Sequence, residues 1–402
     1  MRKTILLIFT LLVSTLTYSQ WTTLSSGTTN FLSSVYFPNA NTGYVSGDSG
    51  TILKTSNAGT KWTALVSGTS NYLASVYFTS VDTGYIVGAG GIILKTSNGG
   101  ASWTKLPSGT DNNLVSVCFT DKQTGYAVGD SGTIIKTING GTLWTTLSSG
   151  TTNDLTSIYF TGADIGYTVG FYGTIIKTAN AGKDWTVLSS GTFASTYAFL
   201  SDYFKNADTG YIAGGIIHGD GAIWMTVDGG ATWTAESAAS DYYFYSIFFT
   251  NADTGFAIGE AGTVMKSYDG GTVWDTLSNG TVNDLHSIFF TDQNTAYLVG
   301  ALGTILKTSN GGGYSLGLND LSTKSNTLII YPNPSSTIVT IESTLKLDQG
   351  QLSILDLTGQ VVMTKQVTQP RTKLDISDLP NGVYFVRLIN NGNVEEGKIL
   401  KQ

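Results

Sequence analysis

The sequence is poor in the residues that carry most polar chemistry. Its 402 residues include one cysteine, two histidines and three arginines, and only 12% are charged. A single cysteine, Cys118, excludes an intramolecular disulfide. It replaces the tyrosine of a recurring Ser-Val-Tyr-Phe phrase, as at Tyr36 and Tyr77, and no histidine lies in its repeat, so it reads as a core thiol. His218 and His286 fall in different repeats, and Gly219-Asp220-Gly221 offers one carboxylate where calcium needs several oxygens. No metal and no cofactor is therefore expected. There is no glycine loop opening a helix to cradle phosphate, and no nucleophile–base set. The arginines are Arg2, Arg371 and Arg387, so residues 21–313 have none, and their 11 lysines face 20 acidic residues, a net charge of −9. Phosphate backbones require the opposite sign, which disfavours nucleic acid. After the first twenty residues no helical apolar stripe of useful length appears, and no later apolar run could cross a bilayer.

What is abundant is a repeat. Trp21, Trp62, Trp103, Trp144 and Trp185 are spaced by 41 residues, Trp233 follows after 48, and Trp274 after another 41. Before all but the first stands a phrase whose clearest form is Thr226-Val227-Asp228-Gly229-Gly230-Ala231-Thr232-Trp233. An Asx side chain bonds to backbone two residues on, and glycine accepts positive φ without a Cβ clash, so the phrase is a turn between two strands. The acidic residue is kept at Asp228 and Asp269 and replaced by asparagine at Asn57, Asn98, Asn139, Asn180 and Asn310. Each unit reads as four short strands, for example Leu73–Phe78, Tyr85–Gly88, Ile92–Thr96 and the Trp-Thr-x-Leu segment. A period of 40–45 residues with strand content implies a β-propeller.

Seven inner strands can be counted, the fifth placed at Leu200–Phe204 and the sixth at Tyr245–Phe249. The seventh unit ends at Asn310-Gly311-Gly312 without a tryptophan, while Trp21–Ser25 is an outer strand without a unit. The expectation is an all-β chain: a seven-bladed β-propeller closed by that N-terminal strand, followed by a small immunoglobulin-like β-sandwich. Met1–Ser19 reads as a signal peptide, with Arg2 and Lys3 ahead of the apolar run from Ile5 to Val13. The propeller spans 20–313, a polar linker 314–327, and the second domain 328–402.

The Thr-x-Asp-Gly-Gly-x-Thr-Trp phrase resembles the Asp box of sialidase-type and other BNR-repeat propellers. The resemblance implies a structural turn on the blade periphery, away from any active site. Sialidases of that kind hold the substrate carboxylate with three arginines, a fork lysine cannot copy, so sialidase activity is not expected. The units are also similar to photosystem II assembly-factor propellers. That family's arginine-rich binding patch is absent, so its partner is not carried over. In the last domain, Tyr331-Pro332-Asn333-Pro334, Asp356-Leu357-Thr358-Gly359-Gln360 and Leu379-Pro380-Asn381-Gly382-Val383-Tyr384 resemble, in the same order, the type A C-terminal sorting domain of the Bacteroidetes type IX secretion system. This implies export to the cell surface or medium through that machinery, with the domain removed or used for attachment.

A binding function without catalysis is the preferred expectation. Its site is placed on the channel-mouth face near the fifth and sixth units, where Tyr172, His218, Asp220, Tyr242, Tyr243 and Glu260 break the repeat. Aromatic faces beside carboxylates suit a sugar or a peptide. A polysaccharide hydrolase or lyase would instead need a facing carboxylate pair. Its candidates are Asp48, Asp130 and Glu260 after the second strands, where other units carry Ala89, Tyr172 and Ala301, with Asp154, Asp241 and Asp284 entering the inner strands. A structural adhesin without a pocket is the third reading.

Overall fold

The computed structural model describes residues 20–188, 196–216, 219–313, 328–343, 347, 350–357, 359–390 and 393–402. The expected signal peptide, the linker 314–327 and His218 lie outside the described residues. Among the described residues the strands form eight four-stranded sheets and one three-stranded sheet.

Seven four-stranded sheets follow the repeat. In the second unit the inner strand Leu73–Phe78 is followed by Gly84–Gly88, Ile92–Thr96 and the outer strand Thr104–Leu106, an antiparallel meander. The second strand opens on glycine for a steric reason. The Phe78 ring lies over Gly84, and a Cβ there would come within 2.5 Å of it. The fifth inner strand starts at Tyr197, not Leu200, because the insertion lengthens the hairpin until Tyr197 pairs with Ile216. The sixth starts at Phe244. In the seventh unit Thr22–Leu24 pairs with Ile305–Lys307, so the sheet of Leu285–Phe290, Ala296–Gly300 and Ile305–Thr308 takes its fourth strand from residues 22–24. Trp21 is 2% exposed, and a Cβ on Gly312 would meet its ring at 3.1 Å. It therefore fills the place that the Asn310 turn leaves without a tryptophan.

Neighbouring sheets are joined by recurring devices, with Phe256 in the tyrosine's place in the sixth unit. A tyrosine from one second strand stacks on the inner-strand phenylalanine of the next unit, with centroids 3.9 Å apart for Tyr44–Phe78 and 4.2 Å for Tyr85–Phe119. The Trp103 edge meets Phe78 from its own unit. The same Tyr44 hydroxyl and the Lys54 ammonium both donate to the Gly99 carbonyl in the next unit's turn, at 2.8 and 2.6 Å. Tyr297 and Lys307 of the seventh unit grip Ala58 of the first in the same way. Each such bond is worth about 1 kcal/mol net, more where the donor is charged. In the fifth unit Met225 stands where the others carry lysine, and Lys205 at the end of the inner strand reaches Tyr211 Oη and Ala252 O instead. A column of serines adds links nearer the axis. Ser34 Oγ accepts from Val76 N, Ser75 Oγ from Val117 N, and Ser287 Oγ from Val35 N.

The Asx turns depend on acceptor geometry. Asp228 Oδ1 accepts from Thr232 N at 2.9 Å, and Oδ2 from Thr232 Oγ1 at 2.6 Å. Bonds from the Thr232 hydroxyl and amide, with one from Thr226, hold the Asp228 carboxyl down at about 2. One Oδ suffices for the backbone bond, and Asn57 supplies it to Lys61 N at 2.9 Å. The repeat therefore tolerates asparagine.

Residues 328–402 form the other two sheets. One contains Ile329–Tyr331, Ile338–Glu342 and Arg371–Asp375; the other contains Val361–Val367, Gly350–Leu355, Gly382–Asn390 and Asn393–Lys401. Val339, Ile341 and Leu374 from the first sheet pack with Leu352, Ile354, Val386 and Ile399 from the second. The motif residues have visible work here. The Asn333 side chain accepts from Leu400 N at 2.8 Å and donates to Lys398 O, tying the Pro332–Pro334 segment to the last strand. Gly359 turns the chain at φ +81°, with its N–H on Asp356 O. Tyr384 Oη donates to Pro380 O at 2.7 Å. No helix among the described residues is long and apolar enough to cross a membrane.

Candidate ligand-binding mouth

Two sets of connections share one end of the seven sheets: the turns between second and third strands, and the loops entering the inner strands. The Asx turns lie at the opposite end. In six units the mouth turn hangs on the residue before the inner strand's first leucine or phenylalanine, as Asp48 N does on Phe31 O and Glu260 N on Tyr243 O. Around the seven units that residue is Phe31, Tyr72, Asn113, Asp154, Ala198, Tyr243 and Asp284.

Where the position is Asn or Asp, its side chain reaches back to the preceding unit's turn. Asn113 Oδ1 accepts from Gly90 N at 2.9 Å, Asp154 Oδ1 from Ser131 N at 2.7 Å, and Asp284 Oδ1 from Ala261 N at 2.9 Å. Ser131 and Ala261 are in the left-handed region, at φ +54° and +50°. A carboxylate on the exposed N–H helps hold such a turn. Asp130 accepts from Asn113 Nδ2 at 2.7 Å. Asp130, Asp154 and Asp284 thus already hold turn groups.

Where the position is aromatic, a different arrangement forms. Tyr243 N and Tyr245 Oη both donate to the Glu260 carboxylate, at 3.3 and 3.0 Å. The Tyr245 ring stacks on His286 with centroids 3.9 Å apart and planes 16° apart. His286 meets the Phe31 edge at 4.4 Å, and Phe31 lies 6.3 Å from Tyr72. An arc of rings therefore runs from the sixth unit through the seventh and first to the second, with Glu260 fixed at one end. Burial pushes the His286 imidazole down to about 4, so it is neutral at pH 7. Burial and then the Glu260 bond push the Tyr245 phenol up, keeping it a donor.

Of the residues picked from sequence, Tyr243 and Glu260 belong to this arc. Tyr242 is 46% exposed beside them, held through its backbone by Ser240. Asp220 is exposed in the fifth unit, where its carbonyl accepts from Ile216 N. The Tyr243 hydroxyl donates to the carbonyl of the same Ile216, bringing the insertion against the sixth unit. Tyr172 is 55% exposed, but the turn register differs from the sequence expectation. Phe171 occupies the slot of Asp48 and Glu260, and Tyr172 takes the next, left-handed slot at φ +57°. His218 lies outside the described residues. Phe31, Tyr72, Tyr245 and His286 were not among the expected site residues, although each breaks the repeat next to an inner-strand leucine or phenylalanine.

Deeper along the axis the inner strands present Tyr36, Tyr77, Cys118, Tyr159, Tyr203, Phe248 and Phe289. The rings of neighbours approach, at 5.0 Å for Tyr36–Tyr77, 4.9 Å for Tyr36–Phe289 and 5.5 Å for Tyr203–Phe248. Cys118 is the one small member, and burial raises its thiol far above the ordinary range. Among the described residues no group of three or more His, Cys, Asp or Glu side chains is placed to hold a metal.

Comparison with known proteins agrees with this fold. The family model described as photosynthesis system II assembly factor YCF48 matches residues 13–111, 106–193 and 189–268. The model for the secretion system C-terminal sorting domain matches residues 329–402. None of the curated proteins compared matches the chain. A structure of YCF48 bound to D1 peptide superposes with a TM-score of 0.62 at 19% identity, over 73% of this chain and 96% of that one. YCF48 from Cyanidioschyzon merolae gives 0.60 at 19% identity, over 72% and 98%. PorZ, a surface component of the type IX secretion system of Porphyromonas gingivalis, gives 0.55 at 12% identity, over 90% and 58%. The C-terminal sorting domain directs export to the cell surface or medium by type IX secretion. A repeated Asx turn, a series of four-stranded sheets and matches over more than half its length place this β-propeller chain in the photosynthesis system II assembly factor YCF48 family of BNR repeats.

Proposed function

We propose that the chain is an exported, non-catalytic binding propeller that presents its mouth to a peptide or glycan on the cell surface or in the medium. We read it as a signal peptide at 1–19, seven blades over 20–313 closed by the N-terminal strand, a linker at 314–327, and an immunoglobulin-like sorting domain at 328–402. One observation carries the reading. The mouth lines up Tyr245, His286 and Phe31, with a Glu260 carboxylate fixed at one end by Tyr243 N and Tyr245 Oη. Rigid rings with a placed acceptor bind ligands by stacking and one directed bond.

A relative of the same fold was solved with a bound peptide, which supports peptide over glycan. Arrays of peptides and glycans, probed with the full secreted chain, test the proposal. Tyr242→Ala with Tyr243→Ala abolishes capture of whatever binds; unchanged capture rejects the site. The competing reading is a polysaccharide hydrolase, favoured by a likeness to an ancestral GH74 enzyme at 14% identity and a TM-score of 0.59. Reducing-sugar release that disappears on Glu260→Gln would establish that reading instead. Cell-surface capture that no mouth substitution alters would favour a structural adhesin.

A further inference from the structure

The inner strands share one more column, the position directly after the bridging serines. It is Val35, Val76, Val117, Ile158, Ile247 and Ile288 in six units, each buried. In the fifth it is Asp202, 5% exposed. Among the described residues neither carboxylate oxygen makes a hydrogen bond of normal geometry. Its backbone N–H goes to Ser157 Oγ of the fourth unit at 3.3 Å.

The surroundings are poor in compensation. The layer between the fourth and fifth units is built from Val169, Ile175, Phe199, Ile212 and Trp224. The titratable groups that feel the carboxylate are Tyr159 on the fourth inner strand and Cys118 on the third, both kept neutral by burial. Tyr203, next on its own strand, is likewise raised by burial. No lysine or arginine acts on it. An isolated carboxylate in such a layer is costly when charged and tolerable when protonated. We propose that Asp202 makes the joint between the fourth and fifth blades proton-dependent, tight while the carboxyl is neutral and loosened once it ionises.

The direction of the carboxyl agrees. Burial raises it to about 7, offset in part by Ser157 and the strand's own amide. The folded value exceeds the unfolded one of about 4, so the native state holds the proton more tightly between them. Stability from this group is present at low pH and falls as pH rises through that window. His286 and Lys266, pushed down by burial to about 4 and about 7, change stability in the opposite sense. The whole-protein pH profile therefore mixes signs, and only variants at position 202 isolate the joint.

The experiment is hydrogen exchange of the full secreted chain at pH 5 and pH 8.5, for Asp202→Asn, Asp202→Val and the parent. The strands to follow are Leu155–Phe160 and Tyr197–Phe204. Relative to either variant at the same pH, the parent's opening rises by roughly 10- to 100-fold between pH 5 and pH 8.5, as linkage requires. Strands of the first and second blades keep the same ratio. A parent-to-variant ratio that does not change with pH, or changes equally in every blade, overturns the proposal. If one variant fails to fold, the other gives the same comparison.

Discussion

Substitution of Trp21 by alanine is the sharpest test of how the ring is held. The residue precedes a strand of only three residues, Thr22–Leu24, which by itself would fray. Trp21 is buried among Phe256, Leu277, Phe290 and Leu306, which belong to the sixth and seventh units. Burying a tryptophan removes roughly 150–250 Å² from water. At about 25 cal/mol per Å² that is about 4–6 kcal/mol as an upper figure. Truncation in a core costs about 3–5 kcal/mol. The same change at Trp103, which is only partly buried, removes less area. Urea unfolding followed by tryptophan fluorescence and by far-ultraviolet circular dichroism measures both. The expected result is a fall of about 3–5 kcal/mol for Trp21→Ala, the larger of the two. Hydrogen exchange should quicken in Ile305–Thr308, which loses the support of its outer neighbour. A loss under about 1 kcal/mol, with exchange at Ile305–Thr308 unchanged, would mean that the seventh unit stands without this strand.

Four other outcomes follow from the same contacts. Lys177→Met removes the ammonium that donates to Gly229 O at 2.8 Å and leaves the carbonyl to Tyr167 alone, so stability falls by about 1–3 kcal/mol by thermal unfolding. Asp202→Val, which installs the residue type of the other units, stabilises the chain more at pH 8.5 than at pH 5, and the difference approaches 3 kcal/mol by urea titration at the two pH values. Affinity for any mouth ligand stays flat between pH 8 and pH 5.5 by calorimetry, because His286 is already neutral there, and falls only as pH approaches about 4. Removing residues 328–402 leaves the propeller in the periplasm, as cell fractionation would show; unchanged export would contradict the sorting role.

Much of the architecture was legible because it is written as columns. The tryptophan period, the Asx-Gly turn and the inner Leu-x-Ser-Val-Tyr-Phe phrase each recur with little change, and each corresponds to a contact made in every unit. The lysine near the end of the third strand was equally visible, but its role was not. Its partner is a carbonyl in the next unit, 45 residues on for Lys54 and Gly99, and no local pattern points there. The seventh unit's partner is Ala58 of the first, which only a closed circuit of contacts brings near. The sequence expectation sets Tyr172 one slot early, in the place of Asp48 and Glu260. Aligning Phe171-Tyr172-Gly173 on its glycine, as in Asp48-Ser49-Gly50, gives the right register. The arc through His286 and Phe31 was missed for a related reason. Repeat-breaking residues stand out in the loops, whereas the arc sits one residue either side of a buried leucine inside the strand column.

These placements also explain why one end of the molecule can vary and the other cannot. At the Asx end, a carbonyl in five of the units receives a tyrosine and a lysine from its neighbour, and any residue that shifts it disturbs two sheets at once. At the mouth, the backbone bond from each turn to the inner strand is made whatever the side chain is, as the Phe31, Asn113, Asp154 and Tyr243 carbonyls all demonstrate. Side chains there are released from holding the ring together, and where they are Asn or Asp they merely brace a left-handed turn. Ligand recognition can therefore change by exchanging a brace for an aromatic at a cost of one hydrogen bond, about 1 kcal/mol, without touching the joints. By that reasoning Phe31→Asp, which restores the Asp154 and Asp284 type beside the left-handed Leu302 turn, leaves stability within about 1 kcal/mol while eliminating binding. A loss of stability as large as that of a lysine joint would show that the mouth and the ring are not separable.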